Sequence, residues 1–147
     1  MASKKTLVVD FDGVLHSYKS GWEGHETISD EPVPGAIEFL YDALKVFKVA
    51  VFSSRSSSPG GIAAMQRWVE NWSKPLMFDY GEKWWLALEW PISKPVAHLT
   101  IDDRAITFEG EWPSMQSLVE FKPWNQLPKV STLSKAVEFL ATEGEGE

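Results

Sequence analysis

The apolar positions of the chain fall into two alternating patterns. Residues 6–10 (TLVVD) make an almost unbroken apolar run that ends in acid, as a short strand does when it is buried on both faces of a sheet. Residues 47–52 (FKVAVF) and 99–101 (LTI) repeat this, each followed at once by polar residues, and residues 75–78 (PLMF) offer a weaker fourth strand. Between these runs the period lengthens. Ile37, Leu40, Tyr41 and Leu44 stand at i, i+3, i+4 and i+7, with Pro34 as a first-turn residue. Ile62, Met65, Trp68, Val69 and Trp72 draw a second helical stripe, opened by Ser58 and Pro59 as cap and first turn, and Leu133, Ala136, Val137 and Leu140 draw a third.

Strands that alternate with helices need crossover connections. The pattern therefore predicts an α/β domain, a three-layer Rossmann-like arrangement with a mostly parallel central sheet whose chemistry collects at the carboxyl ends of the strands. Residues 16–31, rich in Gly, Ser and charge, read as a loop or small hairpin flap directly after the first strand. Residues 82–90 (EKWWLALEW) fit either a strand or a short helix. Residues 142–147 (TEGEGE) offer no apolar anchor and read as a frayed acidic tail. With no internal repeat and no linker, residues 1–141 read as one domain, large enough to bury a core without staples.

Composition narrows the chemistry. The 147 residues carry 14 basic and 21 acidic side chains, a net charge of −7, which argues against a protein built mainly to grip bare nucleic-acid backbone. The absence of cysteine excludes a disulfide scaffold, a thiolate zinc site, an iron–sulfur cluster and a cysteine nucleophile. No run approaches the ~18 consecutive apolar residues of a membrane span, and the first six residues lack the apolar core of a signal peptide. The expectation is a cytoplasmic protein without membrane contact, as a monomer or small homo-oligomer.

The candidate chemistry sits at the strand ends. In LVVDFDGVL (residues 7–15) a buried strand delivers Asp10 and Asp12 to its carboxyl end with one residue between them. Carboxylates that close repel, and need a cation, a shared proton or a basic partner. An oxygen-rich site suits Mg²⁺, and the second acidic strand end, Asp102 and Asp103, would supply further oxygens to the same ion. Ser53, with Ser54 as its competitor, is placed to hydrogen-bond a phosphate oxygen, and Lys94 to neutralise another. An aspartate nucleophile, a metal, donors and a cation are the set that phosphoryl transfer asks for.

In their order along the chain these motifs resemble those of the haloacid dehalogenase-like phosphohydrolases. Asp10, Phe11, Asp12, Gly13 and Val14 match the family's first motif, Ser53 the Ser/Thr of its second, Lys94 the lysine of its third, and Asp102 and Asp103 the acidic pair of its fourth. The resemblance implies the family's Rossmann-like fold, Mg²⁺ dependence and hydrolysis of a phosphomonoester. It makes Asp10 the nucleophile and Asp12 the general acid and then base. Asp10, the Asp12 backbone carbonyl and Asp103 become metal ligands, with Asp102 either ligating or orienting Lys94 and a metal-bound water. Residues 94–112 are also similar to small phage and bacterial members of the family, and IDDR to phosphatase domains attached to polynucleotide kinases. The spacing leaves room for at most a minimal cap, so the site should be open.

The substrate is then a small phosphorylated molecule such as a nucleotide, with a nucleic-acid end not favoured by the net charge. Arg55 and Arg104, directly after the second and fourth motifs, are candidates to contact substrate phosphate or a neighbouring acid. His16 is a candidate substrate contact or a hydrogen-bonded structural residue; His16, His25 and His98 offer no metal-ligand spacing. Trp84 and Trp85 either pack the core or form a flat rim that stacks a base or sugar. Two other classes compete: a receiver-like signalling module, whose acidic pair comes in the opposite chain order, and a non-catalytic phospho-ligand-binding protein on the same fold.

Overall fold

In a computed structural model that describes residues 3–81 and 83–127, β1 (Thr6–Val9) is the central strand of a three-stranded parallel sheet of order β2-β1-β3, with β2 at Lys48–Val51 and β3 at Leu99–Ile101. Its register sets Leu7 beside Val49 and Leu99, and Val9 beside Val51 and Ile101. These side chains share one face of the sheet, and the core forms there with Phe11, Ile37, Leu40, Met65, Trp68 and Val69. Val8 and Ala50 alternate to the other face and are also buried. The protein is thus a small α/β structure with a parallel sheet and helices, compatible with a Rossmann-like arrangement.

β3 departs from the expectation of a doubly buried strand. Among the described residues it is paired only with β1, and Leu99 is 55% exposed. The outer edge of β2 is taken instead by Glu89, whose N–H donates to the Val49 carbonyl and whose carbonyl accepts from Val51, both at 2.9 Å. Residues 82–90 are therefore neither wholly strand nor wholly helix: a 3₁₀ turn, Trp84–Ala87, leads into this single bridged residue.

α1 (Ala36–Leu44) begins two residues after Pro34, because Gly35 takes the N-cap at φ 86, a left-handed value that glycine adopts without steric cost; Pro34 is outside the first turn. α2 (Pro59–Ser73) starts as the sequence predicts, with the Ser58 hydroxyl accepting from the Gly61 N–H at 3.4 Å and Pro59 in the first turn. The proposed fourth strand at residues 75–78 is absent. Pro75 falls in a 3₁₀ turn, Lys74–Leu76, that continues the helical course into α3 (Met77–Tyr80), so this short apolar run is helical and not a strand.

The chain groups into two compact units, Met1–Thr107 and Phe108–Glu147. The first contains the sheet and every candidate site residue. In the second, α4 (Met115–Val119) is capped by Ser114, whose hydroxyl accepts from Ser117, and the Phe108 and Trp112 rings meet at 4.7 Å. The third helical stripe and the acidic tail lie outside the described residues. Among the described residues no helix is long and apolar enough to cross a membrane.

Candidate functional site

The parallel pairing of β1 and β3 brings their acidic ends together. The Asp10 N–H donates to the Ile101 carbonyl at 2.9 Å, and the carboxylates of Asp10, Asp102 and Asp103 each offer an oxygen within 4.8 Å of the others. Burial, a hydrogen bond that the protonated group gives to Asp103 and the charge of Asp102 push the Asp10 carboxyl up to about 8. Around neutrality, without a cation, this group therefore keeps a proton. A hard divalent cation such as Mg²⁺ fits the all-oxygen donor set and would relieve the repulsion that the proton now relieves.

Two backbone features hold the acids in place. The Arg104 N–H donates to Asp102 Oδ1 at 2.7 Å. Gly13 stands at φ 83, and a Cβ there would fall 2.9 Å from Asp103 Cγ and closer still to Oδ2, so the carboxylate occupies the space that a side chain at position 13 would fill. The glycine of the first motif is thus a cradle for the acid of the fourth.

Asp12 turns its carboxylate away from this cluster. Its Oδ1 lies 2.9 Å from His16 Nδ1, and its Oδ2 accepts from Arg55 Nε at 2.9 Å. The Asp30 N–H donates to His16 Nε2 at 3.1 Å, so Nε2 is the acceptor and Nδ1 carries the hydrogen given to Asp12. Burial is the largest single influence on Asp12 and opposes ionisation, but the hydrogen bonds from His16 and Arg55 and the Arg55 charge together outweigh it, and the carboxyl lies below its ordinary range. Asp12 is a clamped carboxylate, held in its ionised form.

Arg55 comes from the 3₁₀ turn Ser54–Ser57 and is fully buried. Besides Asp12 it holds the flap: Nη1 donates to the carbonyls of Gly24, His25 and Thr27 at 2.8, 2.9 and 3.1 Å, while Trp22 lies over the guanidinium at 4.8 Å. At the flap's base Ser17 donates to the Glu31 carbonyl and Val33 to that of Leu15, and Trp68 Nε1 donates to the Asp30 carbonyl at 2.9 Å. Tyr18 is held at φ 61, and burial, with the Asp12 charge, pushes its hydroxyl above the ordinary range. It is a neutral phenol beside the site.

The other predicted residues are placed as follows. Ser53 is a buried N-cap: its hydroxyl accepts from the Arg55 N–H at 3.0 Å and its own N–H donates to Ser56 Oγ at 3.1 Å. Ser54 is exposed beside it, as is Arg104 after the acidic pair. Lys94 is exposed in the connection before β3 and makes no ion pair or hydrogen bond among the described residues, so it is not joined to the acids. His16 and Arg55 are structural partners of Asp12 rather than exposed substrate contacts. Trp84 packs against Tyr41 and Tyr80, and Trp85 borders a hollow of about 360 Å³ with Arg67, Leu88 and Trp90, which no candidate acid lines.

Tyr18 and Trp22 were not foreseen. The signal was there in two aromatic residues within an otherwise polar, glycine-bounded segment, where no apolar stripe calls for them. Comparison of the chain with protein-family models, with curated proteins and with solved structures finds no match.

Proposed function

We propose that the protein is a Mg²⁺-dependent phosphohydrolase that cleaves a phosphomonoester through an aspartyl-phosphate on Asp10, on a haloacid dehalogenase-like fold. The observation that carries this reading is the meeting of Asp10 with Asp102 and Asp103 at the carboxyl ends of two paired parallel strands. Mg²⁺ held by these acids would supply charge neutralisation for the carboxylates and for the phosphoryl group in transfer.

In the first step an Asp10 oxygen attacks phosphorus as the bond from phosphorus to the leaving alcohol oxygen breaks. The bond's electron pair leaves on that oxygen, which takes a proton from Asp12 in its protonated state. In the second, water attacks the phosphorus of the aspartyl-phosphate, Asp12 accepts the water's proton, and inorganic phosphate leaves with the Asp10 carboxylate restored. The clamp of His16 and Arg55 favours the second role of Asp12 over the first. Ser53, Ser54 and Lys94 serve as donors to the substrate phosphate, Lys94 by turning in from its exposed connection.

The test is hydrolysis of an aryl phosphate with Mg²⁺ present. Turnover by the wild type that Asp10→Asn abolishes supports the reading. No turnover of any phosphomonoester in a broad panel, or full turnover by Asp10→Asn, overturns it.

A further inference from the structure

The flap carries an aromatic corner for which the catalytic scheme has no use. Trp22 is 48% exposed although one of its faces lies on the Arg55 guanidinium at 4.8 Å. His25 meets it edge to face, with ring centroids 5.0 Å apart and planes at 85°. An indole kept this open on a short polar loop gives up burial, and it is not held there by an apolar core.

What holds it is Arg55. One guanidinium grips the carbonyls of Gly24, His25 and Thr27 through Nη1 and the Asp12 carboxylate through Nε, so the aromatic corner and the proton-transfer group are fixed to the same rigid, fully buried side chain. Among the described residues Arg55 Nη2 is also buried and has no hydrogen-bond acceptor, so a ligand on the corner meets the indole and not the guanidinium itself.

From this we infer that Trp22 and His25 form the binding platform for the leaving group, and that the substrate is a phosphomonoester whose alcohol carries a flat ring, as a nucleoside monophosphate does. The inference rests on the phosphohydrolase reading for its chemistry. Asp12 serves the leaving oxygen, so the organic part of the substrate departs on the side of the site where Asp12 and its Arg55 anchor stand. There a π-face on a cation-backed indole stacks a base with little dependence on its identity.

The experiment compares kcat/KM for nucleoside monophosphates, an aryl phosphate and a short alkyl phosphate in wild type, Trp22→Phe and Trp22→Leu. Leu keeps apolar cover over Arg55 but has no ring; Phe keeps the ring. Expected is a preference for ring-bearing substrates that falls about tenfold in Trp22→Leu, through KM rather than kcat, and is restored in Trp22→Phe. The gap between nucleotide and aryl phosphate separates recognition of the sugar from stacking alone. Equal preference in wild type and Trp22→Leu overturns the platform while leaving the phosphohydrolase reading intact. A second readout, saturation-transfer NMR with the nucleoside alone, needs no activity. If the wild type hydrolyses nothing, the reaction fails as a separate matter, and the platform stands or falls on whether the nucleoside signal is lost in Trp22→Leu or persists.

Discussion

Arg55 Nε donates to Asp12 Oδ2 at 2.9 Å across 43 residues of sequence, and Nη1 of the same guanidinium is spent on flap carbonyls. A single buried cation therefore sets both the carboxylate just past the end of β1 and the position of the flap. His16 grips the other Asp12 oxygen from a ring stacked on Phe11, so neither carboxylate oxygen is left to choose its own direction.

Removing this cation leaves a buried carboxylate and three carbonyls without their donor. Arg55→Ala is expected to cost about 3–5 kcal/mol of stability, the range for breaking a buried pair from one side. Arg55→Lys should recover only part of this, because one ammonium cannot span Asp12 and the three carbonyls. Urea unfolding of the three proteins checks both, and hydrogen exchange should show the amides of residues 18–30 losing protection first.

Gly13 offers a separation of two effects that usually travel together. Gly13→Ala forces an L residue to φ 83 and drives its Cβ into the Asp103 carboxylate, whereas Gly21→Ala meets the same kind of strain at φ 72 with nothing within 4 Å. Each should lose about 1–2 kcal/mol of stability from the left-handed conformation. Only Gly13→Ala should weaken Mg²⁺ binding, by tenfold or more, in a calorimetric titration. Equal Mg²⁺ affinity in the two variants would show that Asp103 does not depend on this cradle.

How much of this was legible follows from where the determinants lie. The apolar run of residues 6–9 and the acids that end it stand in consecutive positions, and parallel pairing then has to bring Asp102 and Asp103 to Asp10. The cap and stripe of α2 were equally local. The clamp on Asp12 was legible only as one of two alternatives, a neighbouring acid for Arg55 and a hydrogen-bonded structural role for His16, and nothing near Arg55 in sequence marks the flap carbonyls as its partners. Residues 75–78 and the exposed β3 went astray for a related reason. A short apolar run does not say whether it is helix or strand, nor how many neighbours a strand will have.

The proton on Asp10 gives the metal-free protein a pH dependence with a defined sign. Its carboxyl is raised from 3.8 to about 8 in the folded state, so between these values the unfolded chain ionises while the folded one does not, and stability falls as pH rises from about 4 to about 8. Asp12 and Asp30 are shifted downward, and the stability they contribute is lost only on acidification below the ordinary carboxylate range. Thermal unfolding of the metal-free protein should show the fall, and Asp10→Asn should flatten it. Mg²⁺ has to displace this proton, so the rise in Tm that it produces should be larger at pH 8 than at pH 6.

Asp12→Asn should separate the two chemical steps. Both partners of Asp12 are donors in this structure, and an asparagine can offer an oxygen to only one of them; its NH₂ then faces either Arg55 Nε–H or His16 Nδ1–H. If His16 changes tautomer to accept, its Nε2–H loses the bond from the Asp30 N–H and has only Asp30 Oδ2, 3.5 Å away, to donate to, so the substitution weakens one side of the clamp. With an aryl phosphate the leaving group needs no proton, and transfer to Asp10 should survive the change. Attack by water does need a base, and its loss is expected to slow that step by about 10²–10⁴-fold. The measurable outcome is a burst of one phenolate per protein molecule followed by very slow turnover, with phosphate retained on Asp10. A loss of turnover without a burst would instead mean that the carboxylate clamped by His16 and Arg55 is already required when Asp10 attacks.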